Sequence, residues 1–344
     1  MSVLLNTLYV TLPDAALHKD GETVLIKANG EKKLQVPLHH LQSIVIMCDG
    51  GWLSPKLQLA CLERSIAITF LTEHGRFLGR VEGISASGAW LRKNQMEAHL
   101  DAQKSLLLAK TIVKGKLANQ RHVLQRAARE SDPEDSGDLT KASNRIQSIQ
   151  VNVDRMETHE QVRGSEGEGA ARYFDVFQLL IRQQKDVFKW NGRNRRPPRD
   201  PINALLSFAY TLLMGDCLTA CQTVGLDPAF GFLHAFRAGR PALALDLMEV
   251  FRPILADRLT LSLINNQQMR PGDFEETESG AVIMSKEAKK IIISAYQQRK
   301  PKILKHPFLN QDVVWGLVPI LEARLLARHL RGDLEAFPVF HPRG

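Results

Sequence analysis

The hydrophobic period of the chain changes once, near Met96, and this change constrains the fold more than any other feature. Before it, short β-branched runs (Val24-Leu25-Ile26, Leu34-Gln35-Val36 and Ile44-Val45-Ile46) are separated by turn signals. Of these signals, Asn29-Gly30 suits a tight hairpin. Pro55 opens a short helical segment, Leu57 to Glu63, and another strand, Ile66 to Leu71, follows. After the change, Met96, Leu100, Leu107, Val113, Leu117 and Leu124 recur at helical intervals, broken only by Gly115. Ser131 to Asp138 reads as an acidic loop, beyond which helical patterning resumes and runs to Leu334. The pattern predicts an α+β protein. A small β-rich domain covers residues 1–85, a linker covers 86–95, and a larger all-α domain covers 96–344.

At 44% apolar and 24% charged, 344 residues can bury a real core, which excludes a disordered chain. No uninterrupted apolar run approaches the roughly 18–20 residues of a membrane span. Met1-Ser2-Val3-Leu4-Leu5-Asn6 lacks a basic n-region and a cleavage site, so a cytoplasmic protein with no membrane partner is expected. Cys48, Cys61, Cys217 and Cys221 are too few and too scattered for a disulfide scaffold and are expected as buried free thiols.

The formal charge of +8 favours a polyanionic partner, and its distribution says more than its sum. Arg182, Lys185, Lys189, Arg193, Arg195, Arg196 and Arg199 crowd one stretch around Trp190. A second group runs from Lys286 to Lys305. Such stripes bind phosphates without regard to sequence, although a solvated helix face gives the same pattern.

Three segments place acidic or imidazole groups among apolar or glycine neighbours. In Arg163-Gly164-Ser165-Glu166-Gly167-Glu168, the capping-box spacing of Ser165 and Glu168 predicts a helix start, with Glu166 in its first turn. An acidic residue there commonly just complements the helix dipole. His234 sits between Leu233 and Ala235 with Phe232 and Phe236 close by, company that also suits a plain core histidine. Asp246 and Glu249 are three apart, on one face of an otherwise apolar helical stretch, and need a partner or a metal. Arg252 or Arg240 is the simple partner. Together, carboxylates and an imidazole from three segments can build a divalent-metal site. Carboxylate oxygens suit Mg²⁺ or Mn²⁺, and the imidazole tilts the balance toward Mn²⁺. Beside a basic surface, that site implies phosphodiester chemistry.

The same segments resemble the signatures of the CRISPR-associated integrase family, the universal nuclease of spacer acquisition. The resemblance rests on Arg163-Gly164-x-Glu166-Gly167 with Tyr173-Phe174 and on Gly225-Leu226-Asp227-Pro228 with Gly231-Phe232-Leu233-His234. It rests also on Asp246-Leu247-Met248-Glu249 with Phe251-Arg252-Pro253. Pro197-Pro198-x-Asp200-Pro201, Asn203 to Ser207 and Tyr210 add to it, and the wording looks most like the type I-C branch. Gly169 departs from the alanine more usual in the family.

The resemblance implies an N-terminal β domain used for dimerisation and partner contact, and a C-terminal α-helical catalytic domain. It implies a homodimer joined by a small CRISPR-associated partner protein. The reaction it implies is metal-dependent cutting and joining of double-stranded DNA, prespacer into CRISPR repeat. Carried over by motif, Glu166, His234 and Glu249 are the catalytic metal ligands, and Asp246 stands behind them. Arg163, Arg237, Arg240 and Arg252 near the site, with Arg193, Arg195 and Arg196 further out, are candidate DNA contacts; Arg252 also suits a structural pairing with Asp246 or Glu249. The competing reading is a non-catalytic nucleic-acid-binding scaffold whose carboxylates are structural.

Overall fold

The computed structural model describes the chain apart from residues 1, 5, 42, 49, 73–76, 82–85, 195–196 and 343–344. It divides into two compact units, one of Met1–Glu97, Leu218–Pro228 and Pro319–Ala336, the other of Ala98–Cys217, Ala229–Val318 and Phe337–Gly344.

In the first unit, strands β1 (Ser2–Leu4), β2 (Thr7–Val10), β6 (Ser43–Met47), β8 (Ala67–Leu71) and β9 (Phe77–Val81) make one sheet in that order. The inner pairs β2–β6 and β6–β8 are parallel and the outer pairs antiparallel. A second sheet has the order β5 (Glu31–Pro37), β4 (Thr23–Ala28), β3 (Ala16–Asp20), β7 (Trp52–Leu53). Between β4 and β5, Asn29 (φ 53°) and Gly30 (φ 77°) are both left-handed, the geometry a two-residue hairpin turn requires. Helix α1 (Pro55–Glu63) starts where expected, because the Ser54 side chain accepts the Leu57 N–H and Pro55 has no N–H to leave unpaired. Leu8, Val10, Leu17, Ile26, Ile44, Ile46, Leu57 and Ile68 form the core.

Helix α2 (Ala86–Leu100) occupies the span expected as a linker. Leu91 and Gln95 are buried, and the Gln95 amide both donates to the Asp227 carbonyl (2.8 Å) and accepts its N–H (2.9 Å). Helix α3 (Ala102–Arg129) follows, and the break between the two helices is at Asp101, which caps the Gln103 and Lys104 N–H groups. Gly115 does not interrupt α3; its missing side chain leaves room for Val339, which a Cβ there would approach to 2.7 Å.

The expected acidic loop is mostly helix: α4 (Pro133–Asn152) begins inside it, with Glu134 and Asp135 complementing its N-terminus. Helix α5 (His159–Asp175) starts six residues before Ser165, at a capping box of Thr158 and Gln161. Helix α6 (Pro201–Val224) is long and apolar enough to cross a membrane by length and composition, with a mean hydropathy of 1.5 over its most apolar window. Half of that window is buried, and Asp216 within it accepts the Tyr296 hydroxyl (2.7 Å) and the Lys300 ammonium (2.8 Å), as a packed core helix would.

Helix α7 (Ala242–Phe251) passes through a π-helical turn, Arg252–Asp257, into α8 (Arg258–Asn265). Pro253 has no N–H and crowds the preceding turn, which accounts for the widening. The expected all-α region also carries two small hairpins, β10 (Phe274–Glu276) with β11 (Val282–Met284) and β12 (Ile303–Lys305) with β13 (Asp312–Val314). Between them lies α9 (Lys286–Arg299), and α10 (Val318–Leu330) is the last helix. The tail returns to α3, where the Asn119 amide donates to the carbonyls of Val250 (2.7 Å) and Phe340 (3.1 Å).

Candidate metal and nuclease site

All four expected site residues belong to the second unit. Helix α7 presents Asp246 and Glu249 from one face, both buried. Asp246 organises the turn that carries His234, since its carboxylate accepts the N–H groups of Phe232 (2.5 Å), Leu233 (3.0 Å) and His234 (2.9 Å). Gly231 makes this possible, because a Cβ there would lie 2.7 Å from both the Ala242 backbone and Asp246 Oδ2.

The same carboxylate takes His234 Nδ1 at 2.7 Å. A carboxylate accepts here, so Nδ1 is the donor and Nε2 is the ring nitrogen turned towards the site, the usual posture of a metal-binding imidazole. Nε2 faces Glu249 Oε1 at 3.9 Å.

Helix α5 brings Glu166 to this place from its middle, not from its first turn. Gly169, also mid-helix, has its space filled by Leu117 of α3, which a Cβ would overlap. The glycine therefore serves close packing of α3 on α5.

Sequence reasoning missed the residue at the centre of the cluster. The Lys116 ammonium donates to Glu166 Oε1 and, at 2.6 Å, to Glu249 Oε2, and its side chain is only 5% exposed. One signal was available: Lys116 lies on the apolar stripe of α3, between Ile112 and Gln120, where a lysine needs an acidic partner. Arg252 Nη1 takes the other Glu249 oxygen at 2.8 Å, the pairing its spacing suggested. Burial resists ionisation of Glu249, but Arg252 and Lys116 outweigh it and hold the carboxyl at about 2. Among the described residues, no three His, Cys, Asp or Glu side chains already converge as a ligand cluster, because Lys116 stands between the two glutamates.

A cleft of about 860 Å³ opens beside these groups, lined by Glu166, Trp190, Arg193, Tyr210, Arg252 and Asp257 among others. Tyr210 lies under the Arg252 guanidinium (4.7 Å) and donates its hydroxyl to Asp257 (2.6 Å). Burial pushes the Asp257 carboxyl up to about 6, against the opposing effects of the Tyr210 hydrogen bond, Arg252 and Lys116. The folded protein thus binds a proton that the unfolded chain has released, and stability falls as pH rises from about 4 to 6. Asp257→Asn is expected to relieve that loss, by up to about 3 kcal/mol, above pH 6 and not below pH 4. Urea melts at the two pH values check it.

The expected DNA contacts separate into groups. Arg237 is exposed and Arg240 half-buried in the turn after His234, and Arg163 reaches the Leu233 carbonyl at 3.4 Å. Arg193 is committed to Asn203 Oδ1 (2.5 Å) and Ser207 (3.3 Å), which accounts for it structurally. Arg195 and Arg196 lie outside the described residues. In the second basic group, Arg299 is likewise structural, donating to the carbonyls of Leu255 (3.1 Å) and Arg258 (2.9 Å).

Residues 8–298 match the family profile described as CRISPR associated protein Cas1. The CRISPR-associated endonuclease Cas1 2 of Rhodospirillum rubrum is 48% identical over 352 residues, covering 98% of each chain. Among solved structures, a casposase bound to integration product superposes with a TM-score of 0.80 at 22% identity, covering 99% of each chain. A chain of a partial Cas6-RT-Cas1–Cas2 complex gives 0.76 at 22%, covering 98% of this chain and 99% of that one. At those identities the structural likeness is one of fold.

Proposed function

The chain belongs to the CRISPR-associated protein Cas1 family, and on that premise we propose that it is a divalent-metal-dependent DNA endonuclease and integrase that inserts spacer DNA into a CRISPR array. The observation that supports the site assignment is that Lys116 joins Glu166 to Glu249, while Glu249 faces His234 Nε2 at 3.9 Å and Asp246 fixes that imidazole from behind.

The donor set fits a divalent ion: two carboxylates and one neutral imidazole nitrogen, with a carboxylate behind the imidazole, suit Mn²⁺ or Mg²⁺. Glu166, His234 and Glu249 would hold it, and bound there it would lower the pKa of an attacking oxygen and polarise the phosphate. The protein supplies the rest. Asp246 keeps His234 in the ligating tautomer, so the imidazole is a ligand and not a general acid. Arg252 and Lys116 place positive charge beside the carboxylates, and Arg163, Arg237 and Arg240 extend it towards a DNA backbone. Attack by a substrate 3′-hydroxyl joins strands, whereas attack by water cuts them, so one site serves both reactions.

Joining both ends of a duplex needs two sites at fixed separation, which a homodimer provides. We assign that pairing, and contact with a Cas2-type partner, to the β-rich unit, with the cytoplasm as the place of action and type I-C as the branch. What supports the DNA substrate and the Cas2-type partner is that one solved structure of like fold holds an integration product and another belongs to a Cas1–Cas2 complex.

The test is a thermal melt with and without Mn²⁺. Wild type is expected to be stabilised by a few degrees at saturating metal, and Glu249→Ala not at all. A scaffold with structural carboxylates would show no metal effect in wild type.

A further inference from the structure

We propose that Lys116 is a built-in counter-cation, which holds Glu166 and Glu249 together while no divalent ion is bound and competes with that ion for both carboxylates. The inference rests on the reading of those glutamates as metal ligands and concerns what governs metal entry.

Apart from Asp246, whose charge is taken up by three backbone N–H groups and the His234 imidazole, two carboxylates and two cations make up the centre. Glu249 gives one oxygen to Lys116 and the other to Arg252, and Glu166 gives an oxygen to Lys116. The local charge is therefore balanced without metal. Bringing a divalent ion among these groups leaves an excess of positive charge in a largely buried place, where such an excess is heavily penalised.

Lys116 is also the group best able to yield. Its ammonium is a compact charge on a flexible stem, whereas Arg252 is packed over the Tyr210 ring. A phosphate entering from the cleft supplies the negative charge that the balance then lacks. Metal affinity is thus weak in the DNA-free protein and rises when DNA is present, so the cutting centre is assembled on its substrate.

Mn²⁺ binding to the full chain, followed by electron paramagnetic resonance of free Mn²⁺ with and without a short DNA duplex, tests this. Lys116→Met is expected to bind Mn²⁺ about tenfold tighter or more than wild type without DNA, since an opposing unit charge within bonding distance is worth at least a decade even at protein dielectric. DNA is expected to tighten Mn²⁺ binding in wild type and to do so much less in the variant. Lys116→Gln gives the same reading with a neutral donor retained, and either variant folding only with Mn²⁺ present also supports the proposal. Equal affinities in wild type and Lys116 variants, with Glu166→Gln and Glu249→Gln weakening binding, would overturn it. So would failure of both Lys116 variants to fold in Mn²⁺. Should the two glutamine variants leave Mn²⁺ affinity unchanged, the ligand assignment itself is wrong, a separate result.

Discussion

Glu249→Ala is expected to abolish Mn²⁺-dependent cutting and joining and to destabilise the fold by about 3–5 kcal/mol. The two effects have different origins. Loss of turnover follows from removal of a proposed ligand. Loss of stability follows from the partners left behind, because Lys116, a buried cation, and Arg252, a half-buried one, meet on this carboxylate. The pH dependence separates this loss from simple cavity formation. The carboxyl titrates at about 2 in the folded protein, below its unfolded value, so its contribution is complete above roughly pH 5 and lost as pH falls towards 2. The deficit of the variant therefore narrows in acid, as urea melts between pH 3 and 7 can show. Glu166→Ala should lose the same activity at a much smaller cost, since its side chain is 26% exposed and keeps a single partner. Normal turnover in both variants would remove the proposed chemistry.

Asp246→Ala is the second large effect, and it reaches the chemistry through His234. Four donors converge on this carboxylate: three consecutive N–H groups and the imidazole Nδ1. Removing it orphans buried donors at about 1–3 kcal/mol each, so a combined loss of several kcal/mol is expected. It also frees the imidazole to turn and to change tautomer, which typically weakens a metal by about 10–100-fold. Asp246→Asn discriminates between these losses. The one amide oxygen can accept for only two of the four donors, and the amide NH2 faces the other two, so stability is restored only in part, while the weaker acceptor holds the imidazole less firmly. Melting curves and Mn²⁺ titrations on the same two proteins read the two effects independently.

The β-rich region was legible because its signals are local. Asn29-Gly30 dictates a turn, and the β-branched runs around it have no competing period. Asp246 and Glu249 stood out as charged groups in an apolar helix, whereas Glu166, in a glycine-flanked polar helix, and His234, in a turn, were singled out mainly by the family resemblance. What the sequence concealed depends on distant packing. Residues 86–95 look like a linker because nothing nearby shows that Gln95 will clamp Asp227. The start of α5 was misplaced because Ser165 and Glu168 have the right spacing, while Thr158 and Gln161 take the cap. Lys116 was passed over because a single lysine in a long amphipathic helix reads as solvated until its acidic partners, fifty and more residues away, are seen to converge on it.

The Asn119 amide, one turn beyond Lys116, ties the carbonyl next to Glu249 to the carbonyl of Phe340. The segment around Phe340 thereby acts as a strut for the helices that carry the reactive groups. Without Phe340 the same amide would keep only the Val250 carbonyl, so α3 would stay joined to α7 by one bond and lose its brace from the returning segment.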